Sequence, residues 1–241
     1  YRNLIKKGSL DILFINKNTS LNYEVSKNDL SFSSDASSNN YDGFLDFKPF
    51  YLNTNINFQG LSVKDFFKQD TILINLIRTG IFKNENLNAN VNLKVNDITN
   101  IDELNNLFLK VNFEDGKINL SNSSIMWKED LKINLSDSFI DYDENGVNLI
   151  GKMILEFRDL SNFYSSFQVN KNSRMKMRQI QLDFIFNFER QEVSFDNIKI
   201  DNETNLNVQE FIDKFNSNKK KVFNKITFKN FVSDFFKAYA G

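Results

Sequence analysis

The sequence predicts a mainly β fold: a long antiparallel sheet with a few short amphipathic helices. Three observations carry this. From Leu107 to Phe157 most apolar residues fall at every second position, the period of a strand with one apolar and one polar face. The runs are separated by Asp115-Gly116 and by Glu144-Asn145-Gly146, which signal tight turns between antiparallel strands. Only a few stretches elsewhere change to a helical period.

Residues 8–58 read as strands. Gly8 precedes the alternating Ser9-Leu10-Asp11-Ile12. Leu21, Tyr23 and Val25 alternate, and Leu30 and Phe32 follow Lys27-Asn28-Asp29. The polar run from Ser33 to Asn40 reads as a loop. Phe44-Leu45-Asp46-Phe47, the single proline Pro49, and then Leu52, Ile56 and Phe58 resume the strand pattern. Between Gly60 and Phe82 the period changes. Leu61, Phe66, Phe67, Ile72, Leu73, Leu76 and Ile77 predict one or two helices that stop at Gly80, with Ser62 as cap and Asp65 in the first turn. Their wide apolar stripe predicts docking rather than solvent exposure. Leu87, Ala89, Val91, Leu93 and Val95 form a clean strand. Asp97 to Asn106 reads as a connector with a helical turn near Asp102–Asn105.

The central strands carry Leu107, Leu109, Val111 and Phe113, then Ile118 and Leu120, then Leu131, Ile133 and Leu135, then Val147, Leu149, Met153, Leu155 and Phe157. Asp159 to Phe167 predicts a short helix or a bulged crossover. A basic segment follows, with Lys171, Arg174, Lys176 and Arg178. Ile180, Leu182, Phe184, Phe186 and Phe188 are the strongest alternation in the chain, and Val193, Phe195, Ile198 and Ile200 extend the sheet. Val208, Phe211, Ile212 and Phe215 lie at helical spacing within Asn207–Asn216. After Lys219-Lys220-Lys221, Val222–Phe228 looks strand-like. Phe231, Val232, Phe235, Phe236 and Tyr239 make a closing amphipathic helix. With roughly twelve to fifteen strands, an open sheet at about 4.8 Å per strand is on the order of 60–70 Å long.

Composition narrows the function. The 241 residues are enough for one large β domain, and a hydrophobic content of 41% with 26 Phe leaves room for a large core or an apolar groove. A net charge of -1 argues against a nucleic-acid partner bound through phosphate neutralisation. The chain has no Cys and no His, which removes disulfides, thiolate metal sites and the commonest general base. Asp141, Asp143 and Glu144 lack the spacing and closing Glu of an EF-hand, so they read as a polar turn and no metal is expected. No G-x-S-x-G, P-loop or G-x-G-x-x-G is present, so neither an enzyme nor a cofactor is expected. No run of about 20 apolar residues could span a membrane as a helix. The chain begins at Tyr1 with no signal peptide, so it is expected to be a piece of a longer protein with any anchor upstream.

Gly116-Lys117-Ile118-Asn119-Leu120, the run Asn145-Gly146-Val147-Asn148-Leu149-Ile150-Gly151 and the spacing between them resemble the C-terminal region of the AsmA-like family. Leu107, Phe113, Gly116, Ile118, Leu120, Gly151, Leu155 and Asp159 occupy the positions of that family's loose repeat. The match is clearest over residues 100–200, and the flanking strands are compatible with it. The resemblance implies one β-rich domain over residues 1–241, the C-terminal fragment of a membrane-anchored protein. It implies a long curved sheet whose concave face is an apolar groove. It also implies a periplasmic location, an inner-membrane anchor missing from this chain, phospholipids as cargo, and an outer-membrane or periplasmic protein partner. Proteins of this type are similar in design to bridge-like lipid transfer proteins.

The chemistry of an apolar stripe suits that role. Each buried methylene is worth about 0.8 kcal/mol, so a chain of about 14–16 carbons needs a surface worth on the order of 11–13 kcal/mol to leave a bilayer. The expected groove lining is Leu107, Leu109, Val111, Phe113, Ile118, Leu120, Leu131, Ile133, Leu135, Val147, Leu149, Met153, Leu155, Phe157, Leu182, Phe184, Phe186 and Phe188. The same alternation also builds the closed core of a structural, non-transporting β-sandwich domain of an envelope or surface protein. A transmembrane barrel ranks third, since its strands need about 9–11 residues. The amphipathic helices either cap a groove or pack as plain core. Trp127, the lone Trp, suits a groove rim or a core. Both basic runs suit lipid headgroups or solvated turns.

Overall fold

A computed structural model describes residues 5–14, 17–34, 39–62, 72–99, 101–144, 146–218 and 225–241. Among them the chain is mainly β, with thirteen strands and a few short helices. It divides into two compact units, Tyr1–Ser123 and Ser124–Gly241.

The first unit holds β1 (Lys6–Phe14), β2 (Lys17–Val25), β3 (Asp29–Ser34), β4 (Asn39–Phe47), β5 (Phe50–Ser62), β6 (Asn88–Thr99), β7 (Leu104–Glu114) and β8 (Lys117–Asn119), ordered across the sheet as in the sequence. Asp115 and Gly116 turn β7 into β8 with φ of 50° and 69°, the mirror-type turn that matches strand twist. The sheet is not wholly antiparallel. β5 and β6 pair in parallel, with Tyr51 opposite Asn88. Parallel neighbours need a crossover, and the chain between Ser62 and Asn88 supplies it, with α1 (Ile72–Arg78) and a 3-10 turn at Ile81–Lys83. The Phe82 ring lies 4.8 Å from that of Phe113, which puts this end of the crossover against the apolar face.

Ser62, expected as a helix cap, ends β5, where Leu61 and Ser62 pair with Ile98 and Thr99; Asp65, Phe66 and Phe67, the start of the expected helix, lie outside the described residues. Of the expected turn at Asp102–Asn105, Asp102 and Glu103 do turn, with the Leu104 N–H donating to the Ile101 carbonyl at 2.9 Å, whereas Leu104 and Asn105 already belong to β7. Asp97 pairs with Asn105 and Ile98 is buried, so the ladder extends to a short turn between β6 and β7.

The second unit holds β9 (Ser124–Trp127), β10 (Leu131–Asp143), β11 (Gly146–Phe157), β12 (Gln179–Asn187) and β13 (Glu192–Ile200), all antiparallel. Three helices accompany them: α2 (Leu160–Ser166), α3 (Leu206–Ser217) and α4 (Lys225–Ala240). Asp159 caps α2 by accepting from the Asn162 N–H at 3.1 Å, and Asn205 caps α3 by accepting from the Val208 N–H at 3.1 Å. Phe228 belongs to α4, not to a strand. With Phe231, Val232, Phe235 and Phe236 it recurs at steps of three and four, one continuous helical stripe. Val222 lies outside the described residues.

The core of this unit lies between the apolar sheet face and the helices. Leu131, Ile180, Ile198 and Ile200 contribute from strands. Phe163, Tyr164, Val208, Ile212, Phe235 and Phe236 contribute from helices. Among the described residues no helix is long and apolar enough to cross a membrane.

Candidate functional site: an apolar cavity in the second unit

Register places one set of side chains on one face. Leu131 pairs with Phe157, Ile133 with Leu155, and Leu135 with Met153. Leu149 pairs with Phe186, Met153 with Leu182, and Leu155 with Ile180. Phe184 pairs with Phe195 and Phe186 with Val193. Cross-strand partners share a face, so a period of two in each strand becomes an apolar surface four strands wide. A bulge between Ser136 and Phe139 interrupts β10, and the Ser138 side chain fills the space above Gly151 that a Cβ there would occupy.

Beneath the helices this face leaves a partly open cavity of about 430 Å³. Its sheet wall is Leu131, Ile133, Leu149, Met153, Leu155, Phe157, Ile180, Leu182, Phe184, Phe186, Val193, Phe195 and Ile198, joined by Trp127 of β9. Its helix wall is Phe163, Phe167, Ile212, Phe228, Phe231, Val232, Phe235 and Phe236. Among the described residues Gln191 is the one polar side chain other than Trp127 in the lining, and no polar atom is exposed to the interior. At one end Leu131, Phe163, Phe167, Ile180 and Phe236 are buried. Ring contacts close that end: Phe157 with Phe163 at 5.1 Å, Trp127 with Phe167 at 5.1 Å and Tyr164 with Phe236 at 4.9 Å. At the other end Leu149, Phe186 and Val193 are half-buried and Gln191 is exposed.

Among the described residues no titratable group lines the cavity. Next to it, Tyr164 donates its hydroxyl to the Met175 carbonyl. Burial, with Tyr239 nearby, pushes its pKa up to about 12. The site therefore offers dispersion and desolvation, and no proton chemistry.

Of the expected groove residues, Leu131, Ile133, Leu149, Met153, Leu155, Phe157, Leu182, Phe184 and Phe186 line this cavity. Leu135, Val147 and Phe188 belong to the same unit but stay out of the lining; Val147 and Phe188 are buried. Leu107, Leu109, Val111, Phe113, Ile118 and Leu120 belong to the first unit. There Leu107 pairs with Val95, Leu109 with Leu93, Val111 with Val91 and Phe113 with Ala89, on one apolar face. Leu107 to Phe113 are half-buried, whereas Ile118 and Leu120 are buried. No helix residue was in the expected lining, although the amphipathic helices were expected either to cap a groove or to pack as core and their apolar spacing is in the sequence.

Trp127 is half-buried in the lining rather than sealed in the core. The basic segment begins with a 3-10 turn, Lys171–Ser173, away from the lining, and Arg174 Nε donates to the Val169 carbonyl at 3.1 Å.

Comparison of the chain with family models, curated proteins and solved structures returned no match.

Proposed function

We propose that this chain is a lipid-binding β domain of the AsmA-like type, which shields acyl chains on apolar sheet faces during transfer between envelope membranes. The observation that supports it most is the cavity of about 430 Å³ with a wholly apolar interior, which falls within the roughly 300–1,000 Å³ range of ligand sites. The half-buried apolar face of the first unit supports it further. On this reading the domain is periplasmic and its cargo is phospholipid. An upstream inner-membrane anchor and a partner at the outer membrane complete the path. The process is passive and no residue acts as a catalyst.

A structural, non-transporting domain is the second reading. The burial of Leu131 and Ile180 to 3% and 4% exposure under the helices favours it, because side chains this enclosed behave as ordinary core.

The test is extraction and mass spectrometry of lipids from the purified chain, repeated with phospholipid vesicles offered. Phe186→Glu is the matched variant, since Phe186 is half-buried at the open end and tolerates a charge better than Ile133, which packs against the core cluster. Phospholipid at one or more molecules per chain, lost in Phe186→Glu with an unchanged circular dichroism spectrum, is the expected result. A folded chain that carries no lipid and takes none from vesicles overturns the reading in favour of the structural one.

A further inference from the structure

Resting on that reading, we infer that the second unit's cavity is a dead-end site for a single acyl tail, entered methyl end first and indifferent to the headgroup. Three features of the cavity lead there. Its lining is most buried at Phe163, Phe167 and Phe236 and most exposed at Phe186 and Gln191, which sets the closed end at the first group and the mouth at the second. A chain inserted from the open end therefore stops against the aromatic cluster instead of sliding through. Among the described residues no polar atom is exposed to the interior, Trp127 Nε1 included, so an ester, a carboxylate or a phosphate finds no partner there and a buried polar head would be left unpaired. The head stays in water beyond Gln191.

Size fixes the occupant. A cavity of about 430 Å³ lies near the lower end of the roughly 300–1,000 Å³ range of ligand sites, which suits one acyl tail better than the two of a diacyl lipid. The wall on β11 runs from Leu149 to Phe157, about 26 Å at 3.3 Å per residue, a length that suits an extended chain better than a compact ring system. The ligand class is thus a single-tail amphiphile, or one tail of a diacyl lipid whose other tail lies elsewhere. Because only methylenes are bound, affinity follows chain length until the cavity is full.

Trp127 supplies the readout, as the lone Trp of the chain and part of the closed end's wall. Fatty acids brominated at the methyl end should quench its fluorescence on binding, and acids brominated beside the carboxyl should not. Displacement of the quenching acid by saturated acids of about 8 to about 20 carbons should show affinity rising about fourfold per methylene and levelling within that range once the cavity is full. An acid, an alcohol and a lysophosphatidylcholine of equal tail should agree within about threefold, since the lost or gained contacts lie in water. Met153→Phe narrows the middle of the cavity without adding charge or a second Trp, and should move the plateau to shorter chains while the fold is kept.

A headgroup preference above about tenfold, affinity that rises without a plateau, quenching from the carboxyl end, or an unmoved plateau in Met153→Phe each overturns the inference and leaves lipid binding itself standing. Phospholipid that co-purifies with the chain while no brominated acid reaches Trp127 also overturns it, and assigns lipid binding to a surface other than this cavity. Absence of any bound lipid in both experiments overturns the inference and the proposed function together.

Discussion

Leu93, Leu109 and Val111 of the first unit and Leu131, Leu155 and Ile180 of the second stand in alternating strands and face the apolar side of their sheets. In the first unit Val91, Leu107, Leu109 and Val111 remain half-buried while Leu93 and Val95 are buried. In the second, Leu131 and Ile180 are buried beneath aromatic helices while Leu155 is half-buried. Period two is common to all of them and does not set which are buried; what packs over each one does. Among the described residues the first unit's sheet is accompanied by one seven-residue helix, in which Ile77 is buried. The second is accompanied by three helices whose stripes place Phe163, Phe167, Phe228, Phe231, Phe235 and Phe236 over the sheet.

The polar sides use the same device in both units. In the first unit Asn92 Nδ2 donates to Asn55 Oδ1 at 3.1 Å, and Asn55 Nδ2 donates to Asp42 Oδ2 at 2.9 Å, a line of amides across three strands that ends on a carboxylate. In the second unit Asn187 Nδ2 donates to Asn148 Oδ1 at 2.8 Å and Asn197 Nδ2 donates to Asp183 at 2.6 Å, and an exposed ion pair, Lys152 with Asp137 at 3.1 Å, bridges β10 and β11. The abundance of Asn therefore has a structural use in both sheets.

The largest expected effect tests the difference in covering. Phe236 is 2% exposed and meets Phe163, Tyr164 and Phe235. Phe236→Ala should cost about 3–5 kcal/mol through lost burial and a residual cavity. Leu109→Ala in the first unit should cost only about 1–2 kcal/mol, because part of that side chain is already in water. Urea unfolding followed by Trp127 fluorescence reports the second unit, and far-ultraviolet circular dichroism reports both. Equal costs would mean that the two faces are equally covered.

A smaller effect concerns the sheet edges. Asn216 of α3 pairs with the backbone of β13: its Nδ2 donates to the Phe195 carbonyl at 2.7 Å, and its Oδ1 accepts from the Phe195 N–H at 3.2 Å. One side chain thus takes the place of a neighbouring strand and blunts an edge open to aggregation. At the first unit's edge, β1 exposes Leu10 and Leu13, and Lys7 pairs with Glu24 in solvent. Asn216→Ala should lower stability by about 1–3 kcal/mol and raise light scattering below the melting midpoint. Lys7→Ala should change stability by less than about 1 kcal/mol. Scattering that rises as much in Lys7→Ala as in Asn216→Ala would refute the difference between the edges.

The strands were legible because a half-buried sheet writes its two faces into alternating residues, as in Leu131-Lys132-Ile133-Asn134-Leu135. Strand direction was not. Leu52 opposite Ala89 and Ile56 opposite Leu93 present the same faces whether the pair runs parallel or antiparallel, so the parallel β5–β6 pair left no mark in the pattern. The sheet wall of the cavity was legible for the same reason as the strands. The helix wall was half legible: spacing shows that Phe231, Phe235 and Phe236 bury one stripe, but not against which sheet. Nor does alternation distinguish Val147, which is buried outside the cavity, from Leu149, which lines it; that depends on what covers each residue.

The smallest effect is confined to alkaline solution. Each unit holds a buried tyrosine. Burial raises the pKa of Tyr41 in the first, and that of Tyr164 in the second is pushed up to about 12, with Tyr239 beside it as the further cause. A folded-state value above the ordinary 10 means that the folded chain keeps a proton which the unfolded chain has lost. This contribution is complete below pH 10 and drains away as pH rises from 10 toward 12, so stability should be flat through neutral pH and fall in that window. Trp127 reports the second unit, so its urea midpoint should drop between about pH 10 and about pH 12 in the wild type. In Tyr164→Phe the drop should be shallower, because the group that resists ionisation is gone, although stability at neutral pH is lower for want of the hydroxyl's bond to the Met175 carbonyl. An alkaline drop of the same size in Tyr164→Phe would place its source in another group and would make the enclosure of Tyr164 no greater than that of Tyr41.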